Sequence, residues 1–302
     1  MLLKFWSVIQ KVVNRLPICE KLKAAFNRAY QRRVLRVVKS TIPVDEISRN
    51  INKERFGNVN STIIWTSWWQ GVESAPEYVK VAMNSVVRYK PDNYKYVVVT
   101  AENVLSYLPD FNQQILHKYN SGIISNPAFS DILRFSLLSK YGGVWMDATM
   151  ILLHKEDDIF SLPLLTYREL KQDFRFISRG QWTGFFIGGK NNSYFEFIRS
   201  ALEWYWLNND EIVDYFLIDY VIRIAFERNE GRLSDLLDEV PTFMHSISVF
   251  QEHINDVNGD LSSYSNLEPA IFKGSYKQKT EVSIDGKLTL YGKLRNEVLY
   301  ES

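Results

Sequence analysis

What this chain lacks narrows it first. Its 302 residues contain one cysteine, Cys19, so an intrachain disulfide framework and a cysteine pair for zinc are both excluded, and a reducing compartment is favoured. No apolar run approaches the length of about 18 residues that a membrane-spanning helix needs. A secretory leader fits poorly, because MLLKFWSVIQKVV carries Lys4 and Lys11 and no small-residue cleavage site follows. There is no Gly-x-x-x-x-Gly-Lys phosphate loop, no Gly-x-Ser-x-Gly elbow and no His-Glu-x-x-His, and the glycines of YGGVW lack dinucleotide spacing. Repeats and low-complexity segments are absent as well.

Acid is nearly missing from the first 40 residues, which hold ten Lys or Arg against the single Glu20. The other 262 residues carry 26 basic and 34 acidic groups, a net of −8. In the basic segment Phe5, Ile9, Val12 or Val13, and Leu16 recur at helical spacing with cations between them. That pattern predicts an interfacial helix on an anionic membrane surface. A basic helix packed on its own domain is the alternative. Nucleic acid is disfavoured, since the body is acidic and carries no recognition motif. The expected organisation is a basic amphipathic helical arm over 1–40, a polar connector over 41–60, and one α/β domain over 61–302.

What is present is aromatic and strand-helix alternating. Eight Trp, 17 Tyr and 18 Phe fill cores and build platforms for sugars and bases. STIIWTSWWQG reads as a strand, PEYVKVAMNSVVRY as a helix, KYVVVT as a buried strand and ENVLSYLPDFNQQILHKY as helical. A helix over about 131–141 with Ser130 as its cap follows, Gly142 breaks it, and GVWMDATMILL restarts as a strand. FFIGG is a further short strand, followed by helices in SYFEFIRSALEWYWLNN and DYFLIDYVIRIAFERN and a loop-rich tail from about 255. This rhythm predicts a mostly parallel sheet with flanking helices.

Ligands of such sheets bind beyond the carboxyl ends of the strands. Asp147 ends an apolar strand there, placed to hold a divalent metal or to accept hydrogen bonds from a ribose. Asp131 and Arg134 lie three residues apart on one helix face, an acid for hydroxyls beside a fork for phosphate or carboxylate. An intrahelical ion pair and a turn-capping Asp147 would account for the same residues without chemistry. Trp65, Trp68 and Trp69 follow the first strand, with Thr66, Gln70 and Gly71 beside them; a base can stack on one Trp, and at least one must face the core. Trp182 and Thr183 precede FFIGG, where packing and sugar contact are equally open. Asp219, an acid in an apolar helix, calls for Arg223 one turn on or for a place in a cleft.

The block SDILRFSLLSKYGGVWMDATM resembles the Asp-x-x-Arg, Tyr-Gly-Gly and Asp-x-Asp segment of glycosyltransferase family 32, and more closely that family's capsular-polysaccharide-synthesis branch. The resemblance starts at IIWTSWWQG, continues through GFFIGGKNNSYFEFI and reaches AIFKGSYK, covering roughly residues 60–280 and leaving the basic arm outside. It implies a GT-A fold, a mostly parallel Rossmann-like sheet with flanking helices, and a retaining hexosyltransferase using a UDP-sugar. The hexose would be galactose or glucose, and the acceptor an undecaprenyl-linked or similar lipid-linked saccharide of bacterial capsule or exopolysaccharide. Placement would be cytoplasmic, peripheral on the inner face of the cell membrane.

By position, the resemblance gives Asp131 to donor sugar or ribose hydroxyls, Arg134 to sugar or phosphates, Asp147 to the metal and ribose, and the Trp65–Thr66 edge to uracil. Thr149 stands where the family motif has its second Asp. A neutral hydroxyl binds Mn²⁺ or Mg²⁺ weakly, so Lys273 or Lys277 is a candidate for the missing positive charge, and His245 for a late metal ligand. A degenerate nucleotide-sugar or glycan binder in an assembly complex is the alternative.

Overall fold

The computed structural model describes residues 2–56 and 61–300, with side chains from Trp6 onward except that of Ser7. Its N-terminal helices are α1 (Leu2–Arg15), α2 (Glu20–Thr41) and α3 (Val44–Asn50). Strand β1 (Ile63–Ser67), α4 (Glu77–Tyr89) and β2 (Lys95–Val99) follow, then α5 (Val104–Tyr107), α6 (Gln113–Asn120) and α7 (Asn126–Tyr141). After α7 come β3 (Gly143–Met146), β4 (Met150–Leu152), α8 (Asp157–Phe160), β5 (Leu164–Thr166) and β6 (Arg168–Glu169). The chain continues with β7 (Phe186–Gly189), α9 (Ser193–Asn208), α10 (Leu217–Glu227), β8 (Thr242–Phe243) and β9 (Ile271–Lys273).

The central sheet has the order β2-β1-β3-β7-β5. β1 runs parallel to β2 and β3, and β7 runs antiparallel to β3 and β5, so four of the five strands share one direction. This is the mostly parallel α/β sheet with flanking helices expected of a GT-A-like fold. Successive strand residues face opposite sides: Trp65 and Trp145 enter the core under α7 and α9, while Ile64, Val144 and Met146 enter the core on the other face. Each such fully buried side chain contributes roughly 1.5–3 kcal/mol of transfer free energy.

Several boundaries differ from the sequence reading. The predicted helix over 102–119 is two helices, because Pro109 lacks the amide a continuous helix needs, and Asn112 restarts it by accepting from the amides of Gln114 and Ile115. α7 begins at Asn126, preceded by Ser125, with proline in its first turn; Pro127 tolerates that position, and Ser130 lies inside the helix. Gly142 has φ 66°, and a Cβ there would lie 2.7 Å from the Asn191 amide. The tail, read as loop-rich, contains β9 and a helix over Leu290–Tyr300.

The N-terminal basic segment divides into two. α2 buries Tyr30, Val34 and Val38 in the same core as α9 and α10, and Ile47 of α3, within the stretch read as connector, joins them. α1 folds back on α2, with the Trp6 ring 5.7 Å from Phe26 and Gln10 Nε2 donating to Asn27 Oδ1 at 3.1 Å. The apolar row that faces outward is Val8, Val12 and Leu16; Ile9 and Val13 are half-buried, and Phe5 and Lys4 fall outside the described side chains. Among the described residues no helix is long and apolar enough to cross a membrane.

Candidate active site at the end of the third strand

From β1 the chain crosses to β2 on one side, then returns past β1 to β3 on the other. The carboxyl ends of β1 and β3 therefore flank a topological switch point, where open α/β sheets bind ligands. Trp68 to Gly71 follow β1, and Asp147 follows β3. The Asp147 amide donates to Phe185 O at 2.9 Å, and Met150 N donates to Asp147 O at 2.9 Å, closing a turn over 147–150. The predicted single strand through 153 is thus broken. Beyond the turn, β4 leaves the sheet and pairs antiparallel with β9, with Met150 opposite Lys273. That register, reinforced by Gly274 N donating to Thr149 O at 3.0 Å, delivers Lys273 to the turn.

The polar groups converge on Asp147. Arg134, only 5% exposed, places Nη1 3.2 Å from Asp131 Oδ1 and Nη2 3.2 Å from Asp147 Oδ1. Its guanidinium lies 5.0 Å above the Trp145 ring, and Trp145 Nε1 donates to the same Asp147 Oδ1 at 2.9 Å. Lys273 Nζ lies 3.4 Å from Asp147 Oδ2, donates to Thr149 Oγ1 and sits 5.4 Å above the Phe185 ring. Asp219 accepts from Trp182 Nε1 at 3.0 Å. Arg223 is not its partner, because that guanidinium pairs with Glu227 at 2.8 Å.

The carboxylates respond to these surroundings differently. Burial by itself would raise Asp147, but Lys273, Arg134 and the Trp145 N–H outweigh it and hold the group below its ordinary value. Burial pushes Asp131 up to about 7, aided by the charges of Asp147 and Asp219 against the pull of Arg134. Burial likewise pushes Asp219 to about 6, against the Trp182 hydrogen bond and Arg134. One side of the cleft has an ionised acid with two cations. The other has two acids held by fewer donors, Asp131 by Arg134 and Asp219 by Trp182 Nε1, with acceptor capacity left that sugar hydroxyls can fill.

Of the residues singled out from sequence, Asp131, Arg134, Asp147, Thr149 and Lys273 come together. Trp65 does not: it is 1% exposed, donates to Gly142 O at 3.0 Å and packs on Tyr107 and Tyr141, leaving no face for a base. Thr66 is fully buried. Trp69 packs on Tyr119 and Phe129. Trp68 is the half-buried member at the switch point, edge-on to Tyr276 of the loop after β9, and its buried Nε1 has no partner among the described residues. Trp182 is a buried wall that holds Asp219, and Thr183 ties a turn by donating to Phe186 O at 3.1 Å. Lys277 is exposed on that same loop, with its amide on Ser275 Oγ.

His245 is structural. Nδ1 lies 3.0 Å from the Tyr167 hydroxyl and Nε2 lies 3.0 Å from Pro269 O, so neither ring nitrogen is left for a metal. Sequence reading passed over Trp145, Phe185 and Gly184, where a Cβ would lie 3.0 Å from Arg134 Nη1. Trp145 carried a usable signal: it is two residues before Asp147 in a strand, hence on the same face. Cavities of about 560 Å³ (Gln251, Asn255, Lys279) and 390 Å³ (Tyr94, Gly143, Lys190) lie elsewhere and contain none of these charges.

The residues present do not fit a resident Mn²⁺ or Mg²⁺. Such ions need several oxygen ligands, carboxylates foremost. Here both Asp147 oxygens face cations or an N–H, and the Thr149 hydroxyl accepts from Lys273. No group of three His, Cys, Asp or Glu able to hold a metal exists among the described residues.

A family model described as "Capsular polysaccharide synthesis protein" matches residues 17–294, so the match includes α2. No curated protein matches the chain. A solved structure described as "PaToxG Glycosyltransferase" is 13% identical over 70% of this chain and 83% of that chain, with a TM-score of 0.39, a similarity too low to bear on the site.

Proposed function

The chain belongs to the capsular polysaccharide synthesis protein family, and we propose that it is a retaining glycosyltransferase that moves a hexose from a UDP-sugar to a lipid-linked saccharide. The observation that carries this reading is the convergence of Asp131, Arg134, Asp147 and Lys273 at the carboxyl edge of β3. Arg134 and Lys273 supply positive charge for a diphosphate, Asp147 accepts from the ribose, and Asp131 and Asp219 accept from sugar hydroxyls. Trp68, half-buried at the same edge, takes the base.

In the transfer, the bond from the anomeric carbon to the diphosphate oxygen breaks, and its electron pair leaves with the diphosphate. The acceptor oxygen forms the new bond on the same face and gives its proton to the departing phosphate oxygen. The two cations stabilise the charge that develops there.

The lipid-linked acceptor implies an anionic membrane surface, and α1 suits one. Val8, Val12 and Leu16 face outward, and Lys11 and Arg15 of the same helix are exposed with them. Each such cation adds about 1 kcal/mol near anionic lipid. Val12→Asp should abolish binding to anionic vesicles, and unchanged binding would reject α1 as the contact.

The test of the function is UDP release from a panel of UDP-sugars with lipid-linked saccharide acceptors, for the native protein and Asp147→Ala. Release from one donor, lost in Asp147→Ala, supports the enzyme. Donor binding without turnover in the presence of acceptors means a sugar-nucleotide binder instead.

A further inference from the structure

We propose that the Lys273 ammonium occupies the place of a divalent cation, so that this protein binds and uses its nucleotide diphosphate donor without metal. The inference rests on the donor-site reading above. Its ground is what holds Lys273. The backbone is fixed on both sides: β9 pairs with β4, Lys273 N donates to Ile247 O at 2.8 Å, and Gly274 N donates to Thr149 O at 3.0 Å. The following Gly274 has no room for a side chain, because a Cβ there would collide with the Tyr78 hydroxyl, so the strand end is held against its neighbour. The ammonium itself sits on the Phe185 ring, on Thr149 Oγ1 and beside Asp147 Oδ2.

Those two oxygens come from the positions that would ligate a metal if residue 149 were a second carboxylate. A threonine there does two things at once. It removes the charge a divalent ion needs, and it supplies an acceptor that orients an ammonium. A cation entering at Asp147 would have to displace Lys273 and meet Arg134, 3.2 Å from the other carboxylate oxygen. Lys273 remains 26% exposed on its side chain, so a ligand arriving from solvent can reach it. Lys273 and Arg134 set two cations against the Asp147 carboxylate, Arg134 being shared with Asp131, so Lys273 is the cation that meets no second carboxylate among the described residues and has the sign a diphosphate requires. The lysine acts as a point charge that can follow the departing oxygen.

The experiment is calorimetric binding of UDP, GDP, ADP and dTDP to the native protein with EDTA and with Mn²⁺, repeated for Lys273→Met, Lys273→Arg and Thr149→Asp/Lys273→Met, with thermal melts to verify folding. The expected result is one nucleotide whose affinity agrees within about twofold between EDTA and Mn²⁺. Lys273→Met should weaken it by about tenfold or more, as for loss of a charged hydrogen bond, with no rescue by Mn²⁺. Lys273→Arg should retain most of the affinity, and the double variant should regain binding only when Mn²⁺ is added. If the native protein binds nucleotide only with Mn²⁺, or Lys273→Met binds as tightly as native with EDTA, the lysine does not do this work. If none of the four nucleotides binds in either condition, the donor-site reading itself fails and this proposal with it.

Discussion

Asp147 and Asp219 both lie within reach of the Arg134 charge, yet the protein treats them oppositely. Asp147, on the strand side, meets Lys273, Arg134 and an indole N–H, and these hold it ionised despite burial. Asp219, on the helix side, meets only the Trp182 N–H and the more distant pull of Arg134, and burial drives it to about 6; Asp131 beside it reaches about 7. Carboxylates are acceptors whose preference for charge is set by the donors around them. The strand side is complete within the chain and biased toward binding an anion. The helix side is left short of donors and biased toward hydroxyls. A nucleotide-sugar has both parts in that order, diphosphate and then sugar.

The largest expected effect comes from breaking the strand side. Asp147→Ala should reduce sugar transfer by up to roughly 10²-fold, the upper range for a lost charged hydrogen bond to the donor, with Lys273 and Arg134 losing their shared anchor as well; steady-state UDP release measures it, and transfer within a factor of about two of native would show that the strand side is dispensable. Next is Arg134→Met, which removes the cation both sides share. Leaving buried Asp131 without its partner should cost about 3–5 kcal/mol, read from urea unfolding.

Asp219→Asn sharpens the contrast in the opposite direction. An acid whose folded value lies above its unfolded one binds protons more tightly when folded, so its unfavourable contribution is full at high pH. That contribution is relieved as pH falls from about 6 toward the ordinary value of 3.8. Asparagine can still accept from Trp182. The substitution should therefore stabilise the protein at pH 8 by on the order of 1–2 kcal/mol and flatten its stability profile between about pH 4 and 6. Thermal melts across that range decide it, and destabilisation at pH 8 would mean that Asp219 is not the strained member. The smallest effect belongs to Thr149→Val, which removes one hydrogen bond from Lys273 and should cost about 1 kcal/mol in the same unfolding assay.

Much of this was legible beforehand. The strand-helix alternation, the Asp131–Arg134 face and the strand-end Asp147 follow from periodicities of 3.6 and 2 that local sequence carries. Lys273 was nameable as a candidate charge, but nothing local indicates that β9 pairs with β4 so that residue 273 stands opposite 150. Trp65 and Trp68 illustrate the same limit. Both stand where a base could stack, and only the fold puts Trp65, inside β1, in the core and Trp68, just past the strand end, at a half-open edge. The basic segment misled for a related reason: α2 has the cations of a surface arm, yet its Tyr30, Val34 and Val38 form a stripe that packs on α10.

The sequence by itself determined the fold class, the exclusion of a disulfide scaffold, and the identity of the acids at the strand end and on its preceding helix. These depend on composition and on contacts a few residues apart. The tertiary structure decided which cation meets Asp147, which tryptophan stays accessible, and that Asp219 meets Trp182 rather than Arg223. Each of these joins residues separated by tens to more than a hundred positions. Burial and electrostatic pairing act through space, and the sheet register that sets those distances is settled only when the whole core closes.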